Sequence, residues 1–138
     1  SQWEVVEDGP SRKYYHITDK GLAELKEWLL EDTLDFNSRD ETLLKFYFSS
    51  LLPLDTVIEK FERSLEFQQE QLDRYQRDSE CMVNSEPDPT RQEHLMYLST
   101  QKGIFLNEAR IKWIKKCLES MKWFKDKEQK KLDAAKED

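Results

Sequence analysis

Three glycines, four prolines, two cysteines and two histidines are spread over 138 residues, and each scarcity closes off a class of protein. So few glycines do not furnish the turns of a β-sandwich, and none of them forms a phosphate loop. Cys81 and Cys117 stand far apart without C-x-x-C spacing, so neither a zinc site nor a redox motif is indicated, and both are expected to be unpaired structural thiols. Neither His16 nor His94 lies near a serine or cysteine in a recognisable nucleophile setting, and the carboxylates are scattered along helix surfaces. Catalysis is therefore not expected, nor is a metal or cofactor. No apolar run approaches a membrane span, and the chain does not start with a basic-then-apolar signal pattern. The expectation is a cytoplasmic protein with no membrane partner. Positive charge is also short: 22 Lys and Arg against 29 Asp and Glu leave a net charge of -7. That balance disfavours a free-standing nucleic-acid binder, so any such contact must come from a local patch.

What the sequence does hold is charge and helical periodicity. Charged residues make up 37% of the chain, which fits long solvated helices with a modest core. The first 33 residues carry a different pattern. Trp3-Glu4-Val5-Val6 is a short β-prone segment, and Glu7-Asp8-Gly9-Pro10-Ser11 has the residues of a chain reversal. Arg12-Lys13-Tyr14-Tyr15-His16-Ile17 reads as the returning strand, with Tyr14 and Tyr15 as packing residues against the helix that follows. Thr18 stands at an N-cap position, and Leu22, Leu25, Trp28 and Leu29 recur at helical spacing, predicting a helix over 19–31.

A short polar linker, 32–37, leads to Ser38-Arg39-Asp40-Glu41, a capping-box signature. From 43 to 52 the apolar side chains surround most of the helix circumference, so this short helix is expected to be the most buried in the chain, ending at Pro53. A third helix is predicted over 54–83, with Ile58, Phe61, Leu65, Gln68, Leu72, Tyr75, Ser79 and Met82 forming a heptad-like seam. Pro87 and Pro89 break the chain, because each pushes its preceding residue out of the α region. Thr90-Arg91-Gln92-Glu93 then opens a last helix reaching at least Phe124, followed by a charged tail expected to fray.

Projected at 100° per residue, that last helix shows two apolar faces. Leu95, Leu98, Phe105, Leu106, Ala109, Trp113, Cys117, Trp123 and Phe124 share one, and Met96, Ile104, Ile111, Ile114, Leu118 and Met121 share nearly the opposite one. One face can pack on the third helix as an antiparallel hairpin. The other needs either a second copy of the chain or the short helix from Ser38. Ile104, Ile111, Ile114, Leu118 and Met121 are assigned to the interface of a homodimer.

The run Arg12-Lys13-Tyr14-Tyr15-His16-Ile17-Thr18-Asp19-Lys20-Gly21, with Leu25 and Trp28, resembles the wing and following helix of PadR-type transcriptional regulators. Asp40-Glu41-Thr42-Leu43-Leu44-Lys45-Phe46-Tyr47-Phe48 resembles the opening helix of the C-terminal domain in their longer subgroup, typified by virulence-gene activators. The stretch from Tyr97-Leu98 to Trp113-Ile114 resembles its last helix. The likeness reaches about Phe124, and the family's N-terminal helices, including the recognition helix, have no counterpart in it.

The resemblance implies a mainly α-helical fold: a wing hairpin and following helix from a winged helix-turn-helix domain (1–33), a helical dimerisation and effector domain (38–125) with a long antiparallel helix pair, and a charged tail (126–138). It implies a bacterial DNA-binding regulator, taken as a repressor, that binds operator DNA as a homodimer. Gly9, Pro10, Ser11, Arg12 and Lys13 of the wing would touch DNA backbone, a contact that positions without reading sequence. The bland reading of those residues is a solvated basic turn. Trp28, Phe46, Tyr47, Phe105 and Trp113, with Phe48, could line a pocket for a small aromatic effector, although aromatics at helical spacing are more often core. The rival reading is a stand-alone helical interaction module that binds no DNA.

Overall fold

The structure, a computed structural model, describes residues 2–4, 12–32 and 39–137. These fall into two compact units, Ser1–Asp40 and Glu41–Asp138. The described residues are mainly helical.

In the first unit, strands β1 (Gln2–Glu4) and β2 (Arg12–Tyr14) pair antiparallel, with Trp3 opposite Lys13 and Glu4 opposite Arg12. The reversal between them, including Gly9, Pro10 and Ser11, lies outside the described residues. Residues 15–18 continue without regular structure to helix α1 (Asp19–Leu30). Thr18 caps α1 as its sequence position predicts: its backbone is extended and its hydroxyl accepts a 3.0 Å bond from the Gly21 N–H. Asp19 in the first turn suits the positive end of the helix dipole. Tyr15, expected to pack between strand and helix, is three-quarters exposed. No residue of α1 is buried, and Trp28, Leu29 and Leu30 are largely exposed.

The second unit is built on a helical hairpin. Helix α3 (Leu54–Ser85) and helix α4 (Arg91–Glu137) run antiparallel. Near one end Lys125 pairs with Asp55 at 2.5 Å and Lys122 with Glu62 at 3.1 Å. Near the other, the Gln101 amide donates to the Ser79 hydroxyl at 2.7 Å. The predicted seam on α3 holds along its length, since Ile58, Phe61 and Ser79 are buried and Leu65, Gln68, Leu72, Tyr75 and Met82 half-buried. At its centre the α4 backbone comes close to Tyr75: a Cβ on Gly103 would sit 3.1 Å from the ring.

The apolar core is concentrated at the start of α3. Val57, Ile58 and Phe61 pack with Ile114, Leu118 and Met121, and Phe46, Leu54, Leu65 and Cys117 lean on that cluster. Toward the hairpin tip the same seam carries Ser79, Gln101 and Thr100 instead. Hydrophobic stabilisation, at about 25 cal/mol per Å² of buried apolar area, is therefore weighted to one end of the hairpin.

Between the units' boundary and α3 lie helix α2 (Glu41–Tyr47) and a single 3₁₀ turn, Ser49–Leu51. Ser38, the expected cap, lies outside the described residues; Glu41 pairs with Lys45 one turn on, which holds its carboxyl below the usual range. The expectation that this is the most buried helix is wrong, because none of its residues is buried and Tyr47 is 81% exposed. An all-round apolar helix needs partners all round. Here Phe46 is the residue that reaches the hairpin core. Pro53, rather than simply stopping α2, caps α3, its carbonyl accepting from the Thr56 and Val57 N–H groups.

The loop at the hairpin tip follows proline sterics. Glu86, directly before Pro87, leaves the helix for extended backbone. Thr90 and Glu93 form the predicted capping box: the Glu93 carboxylate accepts from the Thr90 N–H and hydroxyl, both at 2.7 Å. Helix α4 then continues without a break to Glu137, so the expected fraying tail is regular helix.

Candidate functional site

Surface left uncovered on α4 is the main feature with functional consequence. Ile111, Ile114, Leu118 and Met121, assigned from the sequence to a dimer interface, face α3 and are buried within one chain. Ile104 is half-buried on the same side. The assignment is corrected accordingly: a helical hairpin must bury one α4 face on α3, and the isoleucine-rich face matches the Val57, Ile58 and Phe61 ridge.

The opposite face carries Leu95, Leu98, Phe105, Leu106, Trp123 and Phe124, all exposed, with Phe105 at 67% and Trp123 at 61%. Contiguous exposed apolar side chains of this kind mark surfaces that meet something else. The short helix does not cover the row. Phe46 sits edge-on against Trp113, ring centroids 5.6 Å apart, and leaves the rest open.

Those aromatic residues assigned to an effector pocket that lie in the second unit do not converge. Phe46 and Trp113 meet, but around Phe61, whose ring lies 4.9 Å from Phe46 and 5.6 Å from Trp113. That trio is a packing cluster that fastens α2 to the hairpin. Tyr47 stacks edge-on with the neighbouring Phe48 on the surface, and Phe105 lies two turns up α4 from Trp113. Trp28 belongs to the other unit. Phe61, which completes the trio, was legible only as a seam residue.

Of the five residues expected to contact DNA, Arg12 and Lys13 are placed on β2 and the other three lie outside the described residues.

Among the described residues there is no group of His, Cys, Asp and Glu able to hold a metal ion, and no helix is long and apolar enough to cross a membrane. Both cysteines are free, Cys81 exposed and Cys117 half-buried. Burial pushes the Cys117 thiol up, partly opposed by Lys116.

The second unit is thus a long helical hairpin with one α4 face on its own core and the other exposed. Residues 38–122 match the family model described as "Virulence activator alpha C-term", which is more than half of the chain, and the chain belongs to that family. No curated protein matches it. Among solved structures it is similar to Bacillus subtilis PadR in complex with operator DNA, at TM-score 0.70 and 23% identity over 87% of this chain and 68% of that one. It is also similar to the Vibrio cholerae virulence activator AphA, at TM-score 0.67 and 20% identity over 78% of this chain and 63% of AphA. At these identities the likeness establishes a shared fold. The chain spans about two thirds of the length of each.

Proposed function

We propose that this chain belongs to a PadR-like transcription regulator, in which the hairpin of α3 and α4 joins two copies and the β1–β2 arm lies against operator DNA. The observation that carries the proposal is the family match over 38–122, and the fold shared with a regulator seen on its operator supports it. The exposed apolar row on α4 supports the dimeric part, since a two-fold interface buries one patch on both subunits. Dimerisation through so long a helix sets the separation of two DNA-binding units, and operator half-site spacing has to match that separation. With a net charge of -7, contact falls to local cations such as Arg12 and Lys13, which position the protein on phosphates. Repression follows where the occupied operator overlaps a promoter.

Selection from a random duplex library by the regulator that contains this chain, followed by fluorescence anisotropy on the enriched sequence, tests this. Enrichment of a two-fold symmetric site, with affinity falling steeply between low and physiological salt, is the expected result. No enrichment at either salt concentration would instead favour the rival reading, a helical interaction module whose acidic surface keeps it off DNA.

A further inference from the structure

The tip of the hairpin holds a cleft that neither the core nor the exposed α4 row uses. We propose that this cleft binds a small amphipathic organic cation. It lies between the last turn of α3 and the first two turns of α4, with a volume of about 420 Å³, within the range of small-molecule sites. Its walls are the side chains of Met82, Val83, Met96 and Tyr97 together with Pro87 and Pro89.

Those walls are held in place. The two prolines stiffen the loop, the Thr90–Glu93 capping box fixes the start of α4, and the Thr100 hydroxyl lies 3.7 Å from the Met82 sulfur. A preformed cleft spares a ligand the cost of ordering its site.

Charge selects the ligand. Glu86 and Glu93 are the carboxylates on the lining, His94 is the other titratable side chain there, and no Lys or Arg lines it. Glu93 uses one oxygen, Oε2, for both bonds from Thr90 and leaves Oε1 toward other partners. The negative end of the α3 dipole adds to this field, and Glu93 is partly offset by the positive end of α4 that it caps, which leaves Glu86 as the carboxylate without that offset. Tyr97, an aromatic, and Met82 and Met96, with polarisable side chains, are all on the lining and complement a cation carried on an apolar body. An anion of the same shape meets two carboxylates, and a neutral hydrocarbon gains only the apolar walls. This inference does not depend on DNA binding.

The chain has three methionines, Met82, Met96 and Met121, of which two line the cleft and the third is buried in the distant core. Methyl-13C methionine NMR on the whole protein therefore reads the cleft and carries its own control. Titration with tetraphenylphosphonium is expected to move the Met82 and Met96 signals saturably and leave Met121 in place. Its isosteric anion tetraphenylborate is expected to leave all three unmoved. The double variant Glu86→Gln/Glu93→Gln, which keeps a side-chain acceptor for the capping box, is expected to weaken tetraphenylphosphonium binding by about fivefold, as two exposed charges allow.

Equal response to the anion would overturn the charge argument, as would full affinity in the double variant. Movement of all three methyls, or of none, would overturn the site. Shifts that follow protein concentration without ligand would make the cleft a contact between copies and equally overturn it.

Discussion

Phe61 meets a ring from α2 and a ring from α4 at once, so its removal should cost more than one contact. Phe61→Ala is expected to destabilise the hairpin by about 3 to 5 kcal/mol, the usual range for a buried phenylalanine whose site cannot collapse. Urea denaturation followed by circular dichroism measures it, and a loss under 1 kcal/mol would mean the trio is a loose surface cluster. Glu93 makes a second prediction at this scale. Its bonds from Thr90, first the hydroxyl and then the backbone N–H, hold its carboxyl below the ordinary 4.5. A depressed carboxyl stabilises the fold fully above that value, and the contribution is lost as pH falls through the range below it. Thr90→Ala is expected to lower stability at neutral pH by about 1 kcal/mol, as loss of an N-cap does. It should also flatten the decline of stability on acidification, read by thermal melts at a series of pH values. The Thr18 and Thr90 caps were both legible in sequence because capping is local chemistry of three or four residues. The role of Asn107, buried on α4 with its amide donating to the Gly103 carbonyl at 3.0 Å, was not, since nothing local distinguishes a buried asparagine from a solvated one.

The long helices were more legible than the short one, for a physical reason. A seam over 32 residues of α3 repeats often enough to reveal its period and so its partner face. Two readings failed where one helix alone cannot decide. Helix α2 is apolar all round, and sequence does not say how many of those faces find partners; only Phe46 reaches the core cluster. Helix α4 is apolar on two sides, and periodicity shows both without ranking them. The tie is broken by the match of Ile111, Ile114, Leu118 and Met121 to the ridge on α3, a property of two elements together. The uneven seam gives a further prediction. Amide exchange should be slowest around 57–61 and 114–121 and quicken toward 79–82 and 100–104, because local opening is easiest where apolar contacts are few. Uniform protection along both helices would contradict a core confined to one end.

At the scale of the whole molecule the proposed dimer rests on the bare α4 row. Leu98→Glu with Phe105→Glu changes two exposed side chains, so the fold should persist while the dimer dissociates, as light scattering would report. Ile111→Glu, in contrast, buries a charge in the seam and should unfold the hairpin before it bears on dimerisation. The β2 cations Arg12 and Lys13 were visible in the sequence as a local basic patch in an acidic chain. The most direct test of the central claim is native mass spectrometry of the protein on the duplex it selects. Two chains per duplex is the predicted stoichiometry, reduced to unbound protein by the Leu98→Glu/Phe105→Glu variant. One chain per duplex, or a complex indifferent to that variant, would contradict a regulator assembled through the bare face of α4.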